Sequence, residues 1–155
     1  MVSFKPKSFS VLLIFMQTLL FISLHGQPIP SSYESQPIYK IVEESPRFNN
    51  RDCEQNESSL DRQHCSKFAF KKYVKEHLRY PQDAKAQNIS GIVLLEIIVE
   101  PDGRIKFLRI LRDIGGGCAQ EAIRLVNQMP KWVPGKLKGR PVRVKTPLTV
   151  KFELS

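Results

Sequence analysis

The amino-acid sequence predicts a small α+β domain, an antiparallel three-stranded sheet in spatial order 2-1-3 with helices packed on one face. Three observations carry that expectation. Gly91 to Glu100 (GIVLLEIIVE) is apolar at nearly every position up to Val99 and rich in β-branched residues, as a central strand covered on much of both faces would be. Glu100-Pro101-Asp102-Gly103 places Pro second and Gly fourth in a turn that leads into a second strand, Arg104 to Arg112. In the last segment Val142, Val144, Leu148, Val150, Phe152 and Leu154 have even parity, while Arg143, Lys145, Lys151 and Glu153 have odd parity, so one face is core and the other wet. A helical crossover separates the second and third strands and normally returns the chain parallel; inserting the first strand between them makes every neighbour antiparallel.

The chain has 155 residues, 41% of them apolar and 25% charged, which allows one domain of ordinary composition. Its net charge of +9 is unevenly spread. Residues 1–26 hold Lys5 and Lys7 and no acid, residues 27–65 are mildly acidic, and residues 66–155 carry the basic surplus. Lys5 and Lys7 precede the apolar stretch Phe9 to Leu24, followed by Gly26, Gln27 and Pro28, the order of a secretory signal peptide cleaved after Gly26. A short uncleaved membrane anchor is the competing reading, although the apolar stretch falls short of the ~20 residues a bilayer core requires. Either reading takes the rest of the chain out of the cytoplasm.

Residues 27–65, with Pro28, Pro30, Pro37 and Pro46 and no sustained apolar period, read as a polar linker. Export makes a disulfide the default for compatible cysteines, and Cys53 and Cys65 close a short loop before the first helix. Zinc held by Cys53, His64 and Cys65 is an alternative without CxxC or HxxxH spacing, and an odd thiol could also pair between chains. The first helix begins at about Ser66, which can cap it, and presents Phe70, Tyr73, Val74, His77 and Leu78 on one face until Pro81 ends it. Pro81 can open a short turn through Ala84 and Gln87. Gly115, Gly116 and Gly117 release the chain into a helix from about Cys118 to Met129, with Ala119, Ala122, Ile123, Val126 and Met129 as its apolar stripe and Pro130 as its stop.

No catalytic constellation emerges. His25, His64 and His77 are not spaced with a nucleophile or carboxylate, and Cys118, which a helix N-terminus could activate, lacks a His partner. GGG is not a phosphate loop, and no basic-aromatic motif for nucleic acid is present. The expectations are no enzyme activity, cofactor, metal, small-molecule substrate or nucleic-acid partner. The Val142 to Leu154 strand, left with a free edge that Pro147 only partly blunts, is instead a docking rail for an extended peptide.

Five ordered blocks then resemble the TonB C-terminal domain: Tyr80-Pro81-Gln82-Asp83-Ala84; Gly91-Ile92-Val93; Val99 to Gly103; Glu121-Ala122; and Met129-Pro130-Lys131-Trp132-Val133-Pro134-Gly135 with Gly139-Arg140-Pro141-Val142. The resemblance covers about Lys67 to Ser155, and the Cys53, Cys65 and GGGC arrangement looks like a variant common in Bacteroidetes-type bacteria. It implies a periplasmic domain of a Gram-negative bacterium at residues 66–155 that grips the TonB box of TonB-dependent outer-membrane transporters by strand addition to its last strand. Here that edge is Arg143, Val144, Lys145, Thr146, Thr149, Val150, Lys151 and Phe152. Family members also couple inner-membrane energy to uptake through ExbB and ExbD. The motif residues Tyr80, Pro81, Gly91, Gly103, Pro130, Trp132, Pro134, Gly135 and Gly139 read as structural, by packing or by turn geometry. The short 27–65 spacer, and Ser23 and His25 only two apart, depart from full transducers, so a secreted peptide-binding or scaffold module that does not couple energy is the second expectation.

Overall fold

The computed structural model describes residues 33–154. The signal-peptide reading of residues 1–26 lies outside them. Ser35–Ser155 form one compact unit, so residues 35–65, expected as linker, belong to the same body as the rest.

The sheet has four strands, not three, in the order β1-β6-β2-β3. β2 (Gly91–Val99) sits at the centre, antiparallel to β3 (Ile105–Arg112) on one side and to β6 (Arg143–Phe152) on the other. These are the three expected strands in the expected order. The addition is β1 (Ile38–Tyr39), which pairs parallel with the start of β6 at Arg143 and Val144. A two-residue strand is too short to leave a period in the sequence. A second ribbon pairs β4 (Lys136–Leu137) with β5 (Arg140–Pro141) through Lys138 and Gly139, both at positive φ as a two-residue hairpin turn requires.

The β2–β3 turn closes as read, with the Gly103 N–H donating to the Glu100 carbonyl at 2.9 Å. β3 carries two register irregularities against β2, after Leu94 and after Glu96. Bulges of this kind twist an edge strand and disfavour edge-to-edge association.

The helices are α1 (Arg51–Glu54), α2 (Ser59–His77), α3 (Gln82–Ala86) and α4 (Cys118–Asn127). α2 starts well before Ser66. Its cap is Ser58, whose side chain accepts from the Leu60 N–H, while Ser66 lies buried in mid-helix and donates to the Phe48 carbonyl at 2.6 Å. The core lies between the helices and one sheet face: Val93, Leu95, Ile97 and Val99 of β2 and Leu148, Val150 and Phe152 of β6 meet Val74, Ala84, Ala119, Ala122 and Leu125. Cys53 of α1 and Cys65 within α2 are joined by a disulfide, which leaves neither available to zinc. Cys65 thus lies inside the helix rather than ahead of it.

Phe48, from the segment read as linker, completes an aromatic cluster with Phe70, Tyr73 and Trp132 at ring-centroid distances of 5.3–6.1 Å. The same segment is stitched to the end of the domain by two isolated bridges, Glu44 to Lys136 and Arg47 to Val133. Acidic side chains of this segment meet basic groups of the C-terminal part: Glu44 faces Lys136 at 3.4 Å, and Glu43 accepts from the Lys138 backbone N–H at 2.8 Å.

Candidate functional site

Among the described residues the sheet has two edges, β3 at one end and the part of β6 beyond β1 at the other. Along β6, Val144, Leu148, Val150 and Phe152 point into the core and Thr149 and Lys151 are exposed, so the alternation read from the sequence holds over the second half of the strand. Pro147 sits opposite Glu96 in an unbroken antiparallel register. Because proline has no N–H, it belongs at a ladder position that faces away from the paired neighbour. Counting in twos from it puts the backbone groups of Lys145, Thr149 and Lys151 on the open side. Among the described residues, the open stretch of β6 therefore runs from Lys145 to Phe152. Arg143 and Val144, counted in the expected edge, are covered by β1.

The expectation that Arg143 is solvated also fails. It is 4% exposed and holds Glu100 through two hydrogen bonds, Nε at 2.8 Å and Nη2 at 2.9 Å, while its Nη1 donates to the Gln36 carbonyl at 3.2 Å. The guanidinium thus ties β6 both to the end of β2 and to the chain that leads into β1. The other basic residues of the strand are paired as well. Lys145 lies 3.8 Å from Glu96, which also accepts from Arg109 at 2.8 Å, and Lys151 pairs with Glu153. The Arg109 hydrogen bond holds the Glu96 carboxyl below its ordinary value despite some opposing desolvation. Every Lys and Arg of β6 has a carboxylate partner, so the charge that the sequence credited to this edge is largely answered from within.

The motif residues act as supports behind the edge. Tyr80 packs edge-on against Phe152 at 5.7 Å and donates from its hydroxyl to the Ile89 carbonyl at 2.5 Å. Pro81 caps α3, and Pro130 follows α4. Trp132 is buried, and its backbone N–H donates to the Gly103 carbonyl at 2.8 Å. Gly103, at φ +82°, has no room for a side chain, since a Cβ would lie 2.1 Å from the Trp132 carbonyl oxygen. Pro134 leads to Gly135, where a Cβ would stand 2.6 Å from a Val144 methyl. Gly91 opens β2 against Ile114, and Gly139 turns the β4–β5 hairpin in open space.

Cys118 is buried and free, and burial, with the nearby Asp113 charge, pushes its thiol up. The helix-start activation considered from sequence is therefore overruled by desolvation. A shallow groove of about 440 Å³ is lined by Arg79, Tyr80, Pro81, Gly117, Glu121 and Arg124. Its one strong polar feature is internal. Burial raises the Glu121 carboxyl, but Arg124 at 2.6 Å and the Arg79 N–H at 2.6 Å more than offset this and hold it below its ordinary value. Among the described residues no cluster of His, Cys, Asp and Glu could hold a metal ion.

The model of the Gram-negative bacterial TonB protein C-terminal family matches residues 76–154. The chain belongs to this family. Two solution structures of the TonB C-terminal domain from Helicobacter pylori are also similar. One shares 20% identity over 67% of this chain and 92% of its own, with a TM-score of 0.38. The other shares 25% identity over 57% of this chain and 95% of its own, with a TM-score of 0.33. No curated protein sequence matches significantly. TonB C-terminal domains are non-enzymatic, envelope-associated parts of TonB-dependent transport and interact with outer-membrane transporters. Among the described residues of this TonB-family chain, no helix is long and apolar enough to cross a membrane.

Proposed function

We propose that this TonB-family domain works in the periplasm and binds the N-terminal TonB box of an outer-membrane transporter as an added strand along Lys145 to Phe152 of β6, in support of energy-coupled nutrient uptake. The observation that carries the reading is the open edge itself. Among the described residues, the strand beyond Val144 has a partner on one side only, and on that side it is held in register against β2 from Lys145 to Phe152. Main-chain hydrogen bonds supply grip in such pairings, and alternate side chains supply selectivity. Pro147 offers no N–H, so the grip falls on Lys145 and on the Thr149–Lys151 stretch.

The test uses a peptide from a transporter's N-terminus and two proline variants. Val150→Pro is unsuitable because Val150 is fully buried. Thr149→Pro is exposed and on the open row, and should abolish binding with circular dichroism unchanged; Ile110→Pro, on the β3 edge, should leave affinity within about twofold. Retained binding in folded Thr149→Pro would refute the β6 edge.

A second reading, a secreted peptide-binding module without energy coupling, is favoured by the spacer. Because Ser35 onward is one compact unit, only residues 25–34 lie between it and the apolar segment in the sequence, and fully extended they span at most ~36 Å. Coupling through ExbB and ExbD requires residues 1–26 to be retained as an anchor. N-terminal sequencing of the cell-derived protein separates the two: a chain starting at Gln27 excludes the anchored transducer, and an intact Met1 in the membrane fraction excludes the secreted module.

A further inference from the structure

The lysines and arginines of β6 are internally paired, so the basic surplus of the domain is not expressed there. An unanswered share of it lies on the outward side of α2. Lys67, Lys71, Lys72 and Lys75 are all exposed, and none has an ion-pair partner among the described residues. At 100° per residue they fall on one arc of the helix, opposite the arc of Phe70, Tyr73 and Val74 that faces the core. Among these lysines lies one large apolar side chain, Phe68, 76% exposed, and Leu60, 67% exposed, lies on the same arc about two turns before Lys67. The Lys71 ammonium lies over the Phe68 ring, 5.8 Å from its centroid.

We infer that the outer face of α2 is a second docking surface, for an anionic phospholipid bilayer. Lysines alone would suit any acidic partner. Phe68 decides between them, since an apolar side chain among lysines gains from the headgroup and acyl boundary of a membrane and gains nothing from a hydrated acidic polymer. Two apolar residues are too few to anchor a protein without charge, so the contact is weak, reversible and dependent on anionic lipid and low salt. Asp61, on the same arc but before Lys67, and Glu76, just beyond the arc, set a limit to the basic stretch. This surface is on the helical side of the domain and does not rest on the β6 reading. It would orient the domain against a membrane while leaving the sheet edge open.

The test places a reporter on the face. Trp132 is the chain's one tryptophan and is buried, so its emission is insensitive to vesicles. The full-length Phe68→Trp variant is mixed with phosphatidylcholine vesicles with and without phosphatidylglycerol. Emission should shift to the blue and be quenched by brominated lipid only in the anionic vesicles, and added salt should reverse both changes. Neutralising two bases, Lys71→Gln with Lys75→Gln, should weaken partitioning about 25-fold. Unchanged emission in anionic vesicles overturns the inference, as does an equal response in both vesicle types. A response to soluble polyglutamate without quenching by brominated lipid overturns it in favour of an acidic protein partner.

Discussion

Replacing Gly103 by alanine tests how the turn and the tryptophan hold each other. Gly103 sits at φ +82°, and a Cβ there would stand 2.1 Å from the Trp132 carbonyl oxygen and within 3.3 Å of the Trp132 nitrogen. Both neighbours are backbone, so no side-chain rotation relieves the clash. The left-handed conformation alone costs a non-glycine residue about 1–2 kcal/mol. To make room, the Trp132 segment must withdraw, losing its 2.8 Å hydrogen bond to the Gly103 carbonyl, worth about 1 kcal/mol. Loosening the contacts of Trp132 with Phe48 and Phe70 forfeits part of the 3–5 kcal/mol, roughly, that deleting a buried aromatic costs. The sum is about 4 kcal/mol, a large share of the ~5–15 kcal/mol of a typical domain. Gly139 is the control, because at φ +71° nothing lies within 4 Å of the place a Cβ would take, so Gly139→Ala meets only the backbone term of about 1–2 kcal/mol. Urea unfolding of both variants measures the difference. Gly103→Ala within 1 kcal/mol, roughly, of Gly139→Ala would refute the reasoning.

Three further outcomes are expected. Removing the Cys53–Cys65 disulfide as the double serine variant should cost about 3 kcal/mol, read from the urea midpoint, and peptide mapping without reductant should find neither thiol alkylated. Arg143→Met leaves Glu100 buried without its partner and should cost about 3–5 kcal/mol, whereas adding Glu100→Met to it should recover much of the loss in the same unfolding assay. Glu121 is held below its ordinary value of 4.5, so its contribution to stability is complete above that pH and is lost as pH falls through the folded-state value; Glu121→Gln should flatten the acid limb of a plot of Tm against pH.

The central hairpin, the crossover helix and the strand order were legible because each left a strong local signal and the connection rule admits few ways to join them. The front of the domain was not. The first two turns of α2 are held inward by the Cys65 disulfide and by the Ser66 hydroxyl on the Phe48 carbonyl, so they carry no apolar period to betray a helix. β1 and the Glu44 and Arg47 bridges depend on partners about a hundred residues away, and main-chain pairing of that kind imposes little on side-chain type. Parity assigned Arg143 to the wet face correctly as geometry. It could not foresee that the chain around Gln36 covers that end of the sheet and that Glu100 waits there. The open part of β6 therefore begins after Val144, two residues later than parity alone would place it.

The most direct test of the account is amide hydrogen exchange, residue by residue, with and without a transporter N-terminal peptide. Protection gained at Lys145, Thr149 and Lys151, with the amides of Ile105–Arg112 unchanged, is the predicted result. Peptide binding that protects the β3 edge, or leaves the open row of β6 exchanging as before, would contradict it.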